Sequence, residues 1–135
     1  LYKGQVLETI LQDVLDTPVS PELLPQEDDK IVQKTEDIVG PYELHDFFIY
    51  HMVRFGDEPR KLYKKTKLAF KDKYDKDTIK KWLRLFYWRF FSQQFKRSCI
   101  PDGPKVGSVA LSPRGDWRMP SDANVQIWLD EVERI

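Results

Sequence analysis

The chain has 135 residues and a mass of 16.1 kDa, and with 41% hydrophobic and 13% aromatic residues it can form one domain with a real core. Its 22 basic and 22 acidic residues balance, which excludes a highly charged disordered tail and argues against a globally basic nucleic-acid binder. The single cysteine, Cys99, excludes an internal disulfide framework and a multi-cysteine zinc site, and no apolar run approaches the roughly 18 residues that span a bilayer.

No signal-peptide pattern opens the chain, so the expectation is a soluble, cytoplasmic protein. Its first residues, Leu1-Tyr2-Lys3, lack an initiator Met, so a fragment or a processed piece is expected. The balanced total hides an asymmetry. Residues 1–50 carry 11 acidic and 3 basic residues, net −8, and residues 51–135 carry 11 acidic and 19 basic, net +8. Two solvated faces of one domain explain this most simply; the alternative is that each part serves a different partner.

In chain order, Val6, Ile10, Leu11 and Val14 recur at helical spacing and predict an amphipathic helix over 4–15, stopped by Thr17-Pro18. Residues 17–40 lack a period, and they hold Pro18, Pro21, Pro25, Gly40 and the acidic run Glu27-Asp28-Asp29. A loop this long is usually functional or disordered. Gly40-Pro41 opens a second helix. Leu44, Phe47, Phe48, Met52 and Phe55 form its apolar stripe, and Gly56 is placed as its C-terminal cap. Pro59 starts a third, with Leu62, Thr66, Ala69 and Phe70 on one face and Lys61, Lys64, Lys65 and Lys67 on the other.

Tyr74-Asp75 staple and cap a fourth helix. Ile79, Trp82, Leu83, Phe86 and Phe90 follow its period, while Tyr87, Trp88 and Phe91 lie off that stripe. A helix apolar on more than one side is buried on more than one side, so a missing domain or a subunit contact is expected over it. Residues 98–120 are irregular, rich in Pro and Gly, with Ser108-Val109-Ala110-Leu111 as the best strand candidate. Ser121 is expected to cap a last helix whose Val125, Trp128, Leu129 and Val132 face inward. The fold class is therefore mainly α: four to five helices and two long, ordered loops.

Several constellations carry chemistry. Lys96, Arg97, Lys105, Arg114 and Arg118 place five cations within 23 residues of a Gly/Pro loop. They suit a phosphate or carboxylate, although cations at a helix C-terminus also simply complement its dipole. Asp116, between Gly115 and Trp117, is either a structural ion-pair partner or a carboxylate that reads a ligand beside an aromatic wall. The 17–40 loop offers Ser20, Lys30 and Lys34 to phosphates, and carboxylates to magnesium; the plainer reading is a solvated acidic loop. His45 and His51 lie six apart, off metal-ligand spacing on a helix, and core or surface roles suit them better. Cys99 has no visible base and is rejected as a nucleophile. GxGxxG, Walker A and GxSxG sequences do not occur. The aromatics among the basic helices sit at core spacing, where single-strand stacking is the weaker reading.

Longer strings narrow this further. Thr17-Pro18-Val19-Ser20-Pro21-Glu22-Leu23 resembles a segment of the glutamine-dependent NAD synthetase family, and residues 33–46, with Gly40-Pro41-Tyr42-Glu43-Leu44-His45-Asp46, look like that family's next block. The strongest match is residues 95–122, which open on Phe95-Lys96-Arg97-Ser98 and close on Ser112-Pro113-Arg114-Gly115-Asp116-Trp117-Arg118-Met119-Pro120-Ser121-Asp122. The resemblance runs over nearly the whole chain and is weakest in the lysine-rich stretch 58–81.

The resemblance implies that the chain is the C-terminal part of an α/β adenine-nucleotide α-hydrolase-like (PP-loop) amidating domain. The family's SGGxDS nucleotide loop and its Glu-Lys-Cys glutaminase domain are absent from these 135 residues. The family makes NAD from deamido-NAD: ATP adenylylates the nicotinate carboxylate, and ammonia from glutamine attacks the acyl-adenylate. The resemblance places Lys96 and Asp116 at deamido-NAD, and Ser20, Lys30 and Lys34 on a flap over the ATP phosphates. Arg97 and Trp117 are further candidates. It also implies ATP and magnesium as substrates of the parent, a homo-oligomeric parent, and a chain that catalyses nothing alone and binds no cofactor tightly. No metal ligand, nucleic acid or membrane is expected for the chain itself. The rival reading is a free-standing helical protein-interaction module.

Overall fold

The computed structural model describes residues 4–17, 35–105 and 107–135. Among these there are seven helices and no strand: α1 Gly4–Asp16, α2 Thr35–Val39, α3 Tyr42–Phe55, α4 Pro59–Ala69, α5 Lys76–Ser92, α6 Gln94–Arg97 and α7 Gln126–Glu133. The mainly α reading holds. The five longer helices are those the periodicity predicts, and α2 and α6 are single turns. The chain divides into two compact units, Leu1–Ile38 and Val39–Ile135.

In the first unit, α1 is amphipathic. Thr17 Oγ1 donates to the Asp13 carbonyl (2.8 Å) at its end, so the stop falls where Thr17-Pro18 predicts. Among the described residues its apolar side chains Val6, Leu7, Ile10, Leu11, Val14 and Leu15 are all exposed.

The second unit is built on α5, which packs against α3, α4 and α7. Leu44 and Phe48 from α3, Leu62 from α4, Ile79, Leu83 and Tyr87 from α5 and Val132 from α7 are buried together. Each such side chain contributes roughly 1.5–3 kcal/mol by leaving water. Part of the second apolar side of α5, over which a missing domain or subunit contact is expected, is covered within the chain. Phe91 stacks on Trp128 of α7 at 4.6 Å, and Tyr87 is fully buried with its hydroxyl donating to the Asp57 carbonyl (3.4 Å). Of the three residues off the main stripe, Trp88 is the exposed one.

Helix ends explain where elements begin. Asp75 caps α5 by accepting from the Thr78 amide (2.8 Å). Gly56 closes α3 in the left-handed region (φ 65°); its amide donates to the Met52 carbonyl (2.9 Å) and the Asp57 amide to the His51 carbonyl (3.3 Å). Gly40 has φ 94°, and a Cβ there would lie 2.5 Å from the Trp82 ring, so only glycine admits this close approach.

Three local expectations are corrected. Ser121 does not cap α7: the helix starts at Gln126, and Asn124 Oδ1 accepts from the Gln126 amide (2.7 Å). Phe55 is exposed rather than part of the α3 core. Residues 108–111 form no strand, because no neighbouring strand is present among the described residues and the Ala110 amide donates to Asp116 instead (2.7 Å).

Candidate functional site

The 98–120 segment returns to the end of α5 and α6 through two clasps of side chains. The first is centred on Arg97. Its guanidinium lies over the Phe90 ring (4.0 Å from the centroid) and donates to the Phe90 carbonyl (2.5 Å) and to Gln94 Oε1. Gln94 is itself buried and donates to the Met119 carbonyl (3.4 Å). Trp117 meets Phe90 edge-to-face (5.5 Å), and its indole N–H points at Met119 Sδ (3.2 Å). Arg97 and Trp117 therefore bind segment 117–119 to the helix end, and burial lowers the pKa of the Arg97 guanidinium.

The second clasp is Arg114. It donates to the carbonyls of Ser98 (2.9 Å) and Ile100 and pairs with Asp102 (3.3 Å). Of the five cations counted in the sequence, Arg114 turns all three guanidinium nitrogens onto the fold and Arg97 turns Nη2 onto it, while Arg97 Nε is buried with no hydrogen-bond partner among the described residues. Lys105 pairs with Asp116 at 2.7 Å. Lys96 and Arg118 are exposed and have no side-chain partner among the described residues.

Asp116 is half exposed. The hydrogen bond from Lys105, the one from the Ala110 amide and the lysine's charge hold its carboxyl below the ordinary carboxylate range, so it is an anion at neutral pH. The loop it braces forms one wall of a cleft of about 240 Å³ against α3, lined by Ile49, Tyr50, Val53, Arg54, Val109 and Leu111 among others. Pockets that enclose a drug-sized ligand measure roughly 300–1,000 Å³, so this cleft is too small for a whole dinucleotide.

Both candidate anchors, Lys96 and Asp116, therefore ride on pieces that the two clasps tie together. Ser20, Lys30 and Lys34 lie outside the described residues. Among the described residues no group of three or more His, Cys, Asp or Glu side chains is placed to hold a metal ion. His45 is a core group: Nε2 donates to the Val39 carbonyl, and burial holds its pKa down. Cys99 is exposed and free.

One cluster escaped the reading of the sequence. Asp57 is buried between α3 and α4, with Lys61 Nζ at 2.7 Å, Lys65 Nζ closer still, and His51 Nδ1 at 3.1 Å. Burial alone would raise its pKa, but hydrogen bonds and charge from the two lysines outweigh it and hold the carboxyl at about 2. The signal was present: Asp57, Lys61 and Lys65 follow i, i+4, i+8 spacing.

No family model matches the chain. Two curated relatives from mycobacteria are named glutamine-dependent NAD(+) synthetase. The protein of Mycobacterium leprae (strain TN) is 43% identical over 151 aligned residues, covering 98% of this chain and 22% of the relative. That of Mycobacterium tuberculosis (strain ATCC 25618 / H37Rv) is 40% identical over 149, covering 97% and 22%. The chain spans about a fifth of the length of the relatives it matches. Along nearly all of its 135 residues it is related by sequence to the glutamine-dependent NAD(+) synthetases.

Proposed function

We propose that the chain is the C-terminal portion of the amidating, PP-loop domain of a glutamine-dependent NAD synthetase, where it forms part of the wall that receives deamido-NAD. The observation that carries this reading is the contrast among the cations. Arg97 and Arg114 donate to the fold, while Lys96, in α6, has an ammonium unpaired among the described residues, and the segment that these arginines tie to that helix end holds Asp116 as an anion. An ammonium and a carboxylate on braced backbone suit a ligand with both acidic and hydrogen-bonding ends. The small cleft agrees with a site whose remaining walls belong to other parts of a longer protein.

In this reading Lys96 attracts the acidic end of deamido-NAD and Asp116 orients it by accepting hydrogen bonds. Trp117 and Arg97 hold the wall rather than the ligand. Ser20, Lys30 and Lys34 close over the ATP phosphates and keep water from the acyl-adenylate. Magnesium supplies charge neutralisation on those phosphates, and ammonia arrives from the glutaminase domain. The parent is a cytoplasmic carbon–nitrogen ligase and a homo-oligomer. The 135 residues alone make no NAD.

The test is NAD formation from deamido-NAD, magnesium-ATP and glutamine by the full-length protein, with the 135-residue chain assayed beside it. Activity in the former and none in the latter is expected. An inactive, well-folded full-length protein would overturn the synthetase reading. The interaction-module reading, which the exposed apolar residues of α1 favour, would then stand.

A further inference from the structure

Arg114 stands where the two pieces of the candidate site meet. Beyond α6 the amides of Ser98, Cys99 and Ile100 turn back onto the carbonyls of Phe95, Lys96 and Arg97, each at 3.2 Å. The carbonyls of Ser98 and Ile100 are taken by Arg114 Nη1 and Nη2, while its Nε reaches Asp102 (3.3 Å). All three guanidinium nitrogens thus point at acceptors on the 98–102 turn, immediately past Lys96. The backbone of Arg114 is equally fixed. It lies in the turn closed by the Gly115 amide on the Ser112 carbonyl (2.9 Å), and its own amide donates to Ser112 Oγ (3.3 Å). Two residues on, Asp116 accepts from the Ala110 amide (2.7 Å).

We propose that Arg114 is a positioning residue of the deamido-NAD wall: resting on the reading above, its planar fork sets Lys96 against Asp116 and touches no substrate. Counting charges along the sequence offers Arg114 to an anion as one of two readings. The geometry gives its donors to the protein instead. A lysine would keep the charge, but a single ammonium on a flexible stem does not reproduce the fork that spans two carbonyls and a carboxylate.

The experiment uses the full-length synthetase with Arg114→Lys, Arg114→Ala and Lys96→Ala. It reads KM for deamido-NAD, KM for ATP and backbone hydrogen exchange. Both Arg114 variants are expected to raise the deamido-NAD KM alike, by roughly ten- to a hundredfold, as misplacement of a binding group does. KM for ATP stays within about twofold. Exchange quickens at 98–102 and 110–116 while α3–α5 stay protected. The inference is overturned if Arg114→Lys keeps the parent KM while Arg114→Ala loses it, because charge would then suffice. It is also overturned if neither variant moves KM, or if protection is lost throughout α3–α5. If Lys96→Ala leaves the deamido-NAD KM unchanged, the site reading itself fails; a response to Lys96→Ala without one to Arg114→Ala rejects Arg114 alone.

Discussion

Asp57 and Asp116 are both aspartates held by lysines, and the two regions around them differ in what that pairing is for. At the α3–α4 junction the Asp57 carboxylate is wholly buried, and three cationic or imidazole groups converge on it. In the 105–118 loop Asp116 meets one lysine and one amide and keeps nearly half its surface in water. A buried carboxylate that lost its partners would carry a large desolvation penalty, so the first arrangement is a structural joint. An exposed pair is worth little to stability and exchanges partners readily, so the second is available to a ligand.

That contrast orders the expected effects. The largest falls in the core. Gly40→Ala forces a positive φ on alanine and drives a methyl into Trp82, and it should cost about 2–4 kcal/mol in urea unfolding. Asp57→Asn should cost about 1–3 kcal/mol by removing the charged acceptor. The pH dependence follows from the depressed pKa. Asp57 contributes its full stabilisation above its ordinary value of 3.8, and this is lost as pH falls through about 2. The wild-type chain should therefore lose more stability between pH 4 and 2 than Asp57→Asn; equal slopes would break the assignment of Asp57 as a joint. A smaller loss, about 1–2 kcal/mol, is expected for Arg97→Ala, which leaves Gln94 buried without that donor. An unchanged unfolding midpoint would return Arg97 to the list of ligand groups.

Much of this was legible in the sequence. The apolar spacing of α1, α3, α4 and α5 located each helix, Gly56 and Asp75 marked ends, and the Phe95–Asp122 strings carried the relationship that the mycobacterial synthetases bear out. What failed did so for physical reasons. Periodicity shows that α5 is apolar on two sides but not that α7 returns to cover part of the second, leaving Trp88 exposed. The Val109-Ala110-Leu111 run has strand character, yet a strand needs a partner, and Asp116 took the Ala110 amide first. Counting cations over 96–118 could not separate Arg97 and Arg114, whose donors go to carbonyls, from Lys96, whose ammonium stays unpaired among the described residues. Asp57 passed unnoticed because its partners lie on two helices and its burial is a tertiary fact.

The most direct measurement is the deamido-NAD kcat/KM of the full-length protein carrying Lys96→Ala or Asp116→Asn, with KM for ATP and the unfolding midpoint read on the same samples. Loss of a charged contact to substrate should lower kcat/KM by roughly ten- to a hundredfold in each, with the midpoint and the ATP KM unmoved. Unchanged kcat/KM in both variants would contradict the placing of this chain at deamido-NAD.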